Sequence, residues 1–162
     1  MSSDDDKSKF LIPLDADLLP ATDDGVFRSL LTRSTPESLL ILTRLIGVTI
    51  GCDVSGVRVI QNEPAKETPQ DKAIRFDVNC VSAESGEQFE LEMQMNPMQE
   101  RSDSDRSHHN LKNRIAYYGF RLCASQRSAS MEYDQLARTF QITFCNFIVF
   151  KEKQKLFHKF TM

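Results

Sequence analysis

The sequence contains no apolar run near the roughly 18 to 20 residues that a bilayer-spanning helix needs. It also lacks a basic leader, opening instead on Met1-Ser2-Ser3-Asp4-Asp5-Asp6, the opposite of a signal-peptide n-region. A cytoplasmic location without membrane contact is the expectation. Cysteine is sparse, and Cys52, Cys80, Cys123 and Cys145 stand far apart with no C-x-x-C or ligand-like pairing. That pattern points to free thiols in a reducing compartment. Of the three histidines, His108 and His109 are adjacent. Neighbours on a helix point about 100° apart and cannot share a face as i, i+4 ligands do, which argues against a histidine metal site. There is no internal repeat, and no small-molecule cofactor is expected.

What remains is a chain of ordinary globular make-up: 162 residues, 40% hydrophobic and 27% charged. That is the size of one domain with one substantial core. Residues 1–9 read as a disordered acidic tail and residues 10–162 as the domain. The net charge of -3 is unevenly distributed. Through Asp105 there are 10 Lys and Arg against 20 Asp and Glu, and from Arg106 onward 10 against 3. An acidic part that concentrates cations beside a basic part that attracts phosphate suits a nucleic-acid enzyme, although a basic C-terminal part also suits a solvated helix face.

Along the chain, Thr22 or Asp23 caps a first helix with Val26, Phe27, Leu30 and Leu31 at helical spacing. Asp24 lies in its first turn, where a carboxylate is favoured by the helix dipole alone. Pro36 opens a second helix that Gly47 or Gly51 ends. Val57–Ile60 reads as a short strand and residues 63–71, with two prolines, as a loop. Residues 96–110 are polar and read as a loop. Leu111 to about Ser128 reads as a helix, with Leu111, Ile115, Tyr118 and Leu122 on one stripe and Lys112, Arg114, Arg121 and Arg127 elsewhere. Residues 131–136 form a connection. Phe140–Phe150 is the most strand-like run, fit for a buried central strand, and Leu156–Met162 starts one more possible strand.

The centre of interest is a hairpin. Its first strand is Arg75-Phe76-Asp77-Val78-Asn79 and its second runs from Gln88 to Met95. Apolar residues alternate in both, as in half-buried strands. The other face then carries Arg75, Asp77 and Asn79 on one strand and Glu90, Glu92 and Gln94 on the next. A turn at Glu84-Ser85 sets Asp77 opposite Glu92, and a turn at Ser85-Gly86 sets it opposite Gln94. Clustered carboxylates repel unless a cation lies between them. Asp77 and Glu92 could ligate Mg²⁺, and Gln94 could orient water or substrate; a lysine there would also offset charge developing on a phosphate. By spacing alone, D-x(14)-E-x-Q fits many hairpins.

In their order, the residues resemble the PD-(D/E)XK nuclease family transposases, or recombination-promoting nucleases. The segments that carry the resemblance are Asp24-Gly25-Val26-Phe27, Arg75-Phe76-Asp77-Val78 and Leu91-Glu92-Met93-Gln94, then Arg114-Ile115-Ala116-Tyr117-Tyr118 with Gln126, Asn146–Phe150 and Phe157–Phe160. The resemblance implies an α+β, restriction-endonuclease-like core, a mixed sheet flanked by helices, that cleaves DNA with Mg²⁺ or Mn²⁺. It implies Asp77 and Glu92 as catalytic metal ligands, Gln94 as the third catalytic residue, and Asp24 as a further ligand. DNA contact then falls to Lys112, Arg114, Arg121, Lys151 and Lys153, and superfamily analogy suggests a homodimer. Members commonly continue into a further helical region, so a C-terminally shortened copy is also an expectation. The alternative is a catalytically silent relative that binds DNA or a partner protein.

Overall fold

The computed structural model describes residues 19–60, 76–95, 104–126, 132–150 and 155–161, with only the backbone for residues 104–109. The acidic tail, the proline-containing loop, Arg75, Lys151 and Lys153 lie outside the described residues.

The two N-terminal helices follow their capping chemistry. Helix α1 spans Asp24–Thr32, and the Asp23 carboxylate accepts from the Val26 N–H at 3.1 Å. Helix α2 spans Pro36–Ile50, capped by Thr35, whose hydroxyl accepts from the Ser38 N–H at 3.3 Å. The second helix ends at Gly51 in the left-handed region, φ 76°, a conformation that glycine adopts without a Cβ penalty.

Four strands follow: β1 (Val57–Val59), β2 (Val78–Ser82), β3 (Gln88–Gln94) and β4 (Thr139–Cys145), in the spatial order β1-β2-β3-β4. The first three are antiparallel, and β4 runs parallel to β3. Among its described residues the parallel connection contains helix α3 (Ser104–Ala124) and a 3-10 turn at Tyr133–Gln135. Among the described residues this is a mixed sheet with three helices, α+β, and consistent with a restriction-endonuclease-like fold. One face packs on α1 and α2 through Phe27, Leu31, Leu42, Ile46, Val78, Cys80, Phe89, Leu91 and Ile142. Against the other face lies α3, where Phe76, Leu122 and Tyr118 form a second cluster. The end of α3 is tied to the start of β4 by Gln126, whose amide donates to the Ala137 carbonyl and accepts from its N–H, both at 2.9 Å.

The structure corrects several sequence expectations. The first hairpin strand does not run from Arg75 to Asn79. It begins at Val78 and continues to Ser82, with Asp77 at a bend before it. The ladder pairs Val78 with Leu91 and Asn79 with Glu90, the register of the Glu84-Ser85 turn. The polar face is not solvated, because α3 covers it; Asn79, Glu90 and Glu92 are all buried. Helix α3 starts at Ser104, within the stretch read as a loop. Its first turns lack an apolar stripe, so periodicity gave no sign of them. Finally, β4 is not central. Among the described residues it pairs with β3 alone. It ends at Cys145 opposite Gln94, where β3 itself stops, and an unpaired backbone does not continue as strand. Residues 155–161 form no strand.

Candidate active site

The site builds up at the end of β3 where Glu92 and Gln94 lie. Two aromatic contacts set its frame. Phe27 of α1 packs on Phe144 of β4 with ring centroids 5.8 Å apart, which brings the start of α1 to this end of the sheet. Phe76 meets Tyr118 of α3 edge-on at 5.8 Å. The chain therefore turns Phe76 toward α3 and then bends, leaving the Asp77 side chain on the α1 side.

The Asp77 carboxylate is held at both oxygens. Oδ1 accepts from Nη2 of Arg28 at 3.0 Å, and Oδ2 accepts from the Met93 N–H at 3.1 Å. The same Nη2 donates to Asp24 Oδ2 at 3.1 Å. Arg28 thus joins the helix carboxylate to the sheet carboxylate. Asp24 is 57% exposed at its side chain and Asp77 only 13%, so the first is the rim of the site and the second its interior.

Glu92 is buried deeper still, with a side chain 6% exposed. Its carboxylate accepts a short charged bond from Arg114 of α3, whose other terminal nitrogen lies 3.4 Å from Gln94 Oε1. Arg114 also stacks over Tyr118, 5.1 Å from the ring centroid. Burial raises the Glu92 pKa to about 7; Arg114 opposes that rise, while Asp77 and Asp24 add to it. The influence of both aspartates on Glu92 puts the three carboxylates in one electrostatic neighbourhood.

Beneath them lies Glu90, fully buried. Burial pushes its pKa up to about 9, with the negative charge of Glu92 as the next cause. Gln141, its register partner on β4, lies beside it, outside hydrogen-bond geometry to either carboxyl oxygen. Glu90 is therefore a neutral carboxylic acid near pH 7, not a second solvated anion.

The remaining sequence-predicted residues are spread along α3. Lys112 is exposed, and its ammonium lies over the Phe150 ring at 5.1 Å. Phe150 also touches His158, at 4.4 Å, and Phe160, at 5.8 Å. Arg121 is half-buried one turn before the end of the helix. Arg114 is drawn into the carboxylate cluster, away from the outer basic face expected of it. Arg28 was not expected at the site at all. Its only sequence signal is the i, i+4 spacing from Asp24, which foretells their pairing but not the contact with Asp77.

A family model described as PD-(D/E)XK nuclease family transposase matches residues 21–162. The chain belongs to this family. No curated protein and no solved structure matches it. Membership in the PD-(D/E)XK transposases supports a nuclease-type function. Nucleases of this superfamily generally use divalent metals. Asp77, Glu92 and Asp24 offer hard carboxylate oxygens, the donors that Mg²⁺ and Mn²⁺ take. Among the described residues no group of three or more His, Cys, Asp or Glu is drawn close enough to hold an ion. The negative charges are met by Arg28 and Arg114 instead. In donor chemistry the residues fit a divalent cation, with the two guanidiniums as its counterparts in the arrangement seen.

Proposed function

We propose that this chain is a metal-dependent DNA endonuclease of the PD-(D/E)XK transposase type, hydrolysing phosphodiester bonds, with recombination as its biological setting. The observation that carries the reading is that Arg28 joins Asp24 of a helix to Asp77 at a bend, whose carboxylate also bonds strand β3, the strand that carries Glu92, with Asp77 and Glu92 both largely buried. Burying carboxylates is costly unless their charge is used or matched.

In this reading Asp77 and Glu92 hold Mg²⁺ or Mn²⁺, with Asp24 as a further ligand. The bound ion supplies an acidified water and a charge that offsets the phosphate's. The Met93 N–H keeps the Asp77 carboxylate oriented. Gln94, at the end of β3, orients the water or the phosphate through its amide. Lys112, Arg121 and the lysines at 151 and 153 contact the DNA, a role that the basic balance from Arg106 onward supports. Phosphate contacts of this kind position a duplex without reading its sequence. A homodimer, giving two sites for a double-strand cut, and a cytoplasmic location complete the proposal. Among the described residues no helix is long and apolar enough to cross a membrane, and all four cysteines are free.

The test is plasmid nicking by the purified chain with Mg²⁺ or Mn²⁺, beside Asp77→Asn and Glu92→Gln. Wild type should nick, and each variant should lose at least about 100-fold in rate, the scale on which removal of one electrostatic element acts. A wild type that neither nicks DNA nor binds Mn²⁺ in calorimetry would leave only the silent DNA- or partner-binding relative.

A further inference from the structure

We propose that Arg28 supplies the positive charge that Gln94 cannot, acting on the phosphate undergoing cleavage. This inference rests on the nuclease reading above and names a further residue for that reaction.

Hydrolysis of a phosphodiester joins a water oxygen to phosphorus and breaks the bond to one deoxyribose oxygen. The water loses a proton and the leaving alkoxide gains one. Negative charge grows on the phosphoryl oxygens and the leaving oxygen as this happens, and a preorganised cation there lowers the barrier. At Gln94 the chain has a neutral amide where a lysine would carry such a charge. Among the described residues, the guanidiniums of Arg28 and Arg114 reach the carboxylates.

Their bonding separates their roles. Arg114 directs one terminal nitrogen to Glu92 and the other toward Gln94, so both ends of its fork are committed to holding strand β3. Arg28 makes all its bonds to described residues through Nη2, shared between Asp24 and Asp77. Nη1 makes none of these bonds, and the side chain is 26% exposed. A planar guanidinium that binds a largely buried carboxylate through one terminal nitrogen, uses the other in none of these bonds and is partly exposed is suited to bridge Asp77 and an incoming phosphate oxygen. It is also preorganised: α1 is fixed by Phe27 and Leu31 in the core, and Arg28 is the residue following Phe27.

The experiment compares full-length wild type with Arg28→Met and Arg28→Lys in single-turnover cleavage of a labelled DNA duplex with Mn²⁺. Mn²⁺ binding by the protein alone is measured in parallel by calorimetry. Arg28→Met should slow cleavage about 100-fold, and Arg28→Lys should recover a large part of the rate by restoring a point charge. Removing a cation from Asp77 should leave Mn²⁺ affinity unchanged or tighter. If Arg28 only props up Asp77, Arg28→Met weakens Mn²⁺ binding in proportion to the lost rate, which overturns the proposal. Full-rate cleavage by Arg28→Met overturns it as well. A wild type that neither cleaves nor binds Mn²⁺ defeats the nuclease reading first, and this inference with it.

Discussion

Glu90 and Glu92 are two residues apart on the same strand face, yet they face different problems. Glu92 is ion-paired with Arg114; Glu90, fully buried and with neither carboxyl oxygen hydrogen-bonded, avoids the cost of a buried charge by keeping its proton. The consequence for stability has a definite sign. An unfolded glutamate ionises near 4.5, whereas Glu90 in the fold holds its proton to about 9. Between those values the folded chain binds the extra proton, so stability falls as pH rises, by up to about 1.4 kcal/mol per pH unit. The contribution is fully present below the unfolded value and gone above the folded one. Glu90→Gln should remove this slope, giving a variant increasingly more stable than wild type in urea as pH is raised through the window. Parallel wild-type and variant curves across that range would mean that Glu90 ionises freely in the fold. Glu92, raised to about 7, adds a slope of the same sign that ends at a lower pH.

Helix α3 is the element on which the site depends. It covers the polar face of the sheet and delivers Arg114. Its C-terminal half is held by the Tyr118 and Leu122 contacts with Phe76, and just beyond its last residue by the two Gln126 bonds to Ala137. Gln126→Ala should loosen the second attachment and cost about 1–3 kcal/mol, because a half-buried backbone N–H and carbonyl lose their partners together. The measurement is the urea midpoint, with amide exchange at Ala137; unchanged exchange there would show that the packing of α3 alone holds β4. The helix also explains what could be read in advance. Its stripe of Leu111, Ile115, Tyr118 and Leu122 was legible by periodicity. The inward turn of Arg114 was not, since a cation between two apolar positions reads as a helix flank until a buried carboxylate is seen opposite it.

At the scale of the whole molecule, the acidic and basic parts of the chain meet along the end of β3 and the face of α3. DNA binding through that basic side should weaken steeply with salt, since each neutralised phosphate releases condensed counterions. Lys112→Ala should lower the slope of log affinity against log salt by about 1 and weaken all duplex sequences alike. A binding curve insensitive to salt, or a variant that changes sequence preference, would remove Lys112 from the interface. Lys112 also stacks on Phe150, so the comparison with Lys112→Arg, which keeps both charge and stacking, separates the electrostatic loss from any loosening of the aromatic cluster of Phe150, His158 and Phe160.

Local chemistry was decided by the sequence alone: the capping residue types of α1 and α2, the order of the helices and strands, the hairpin with two alternative turn registers, and the alternation of apolar and polar residues along its strands. These follow from interactions between residues close along the chain, where capping, turn geometry and the period of two act directly. What the tertiary structure decided is everything that depends on distant partners. It brought α3 over the polar face and so turned a seemingly solvated row of acids into a buried one, neutral at Glu90. Among the described residues it set β4 at the edge of the sheet; it also bent the chain at Asp77 and set Arg28 between two carboxylates 53 positions apart in the sequence. Burial and long-range ion pairs are properties of assembled elements, which is why the acids of the hairpin could be named beforehand but their arginines could not.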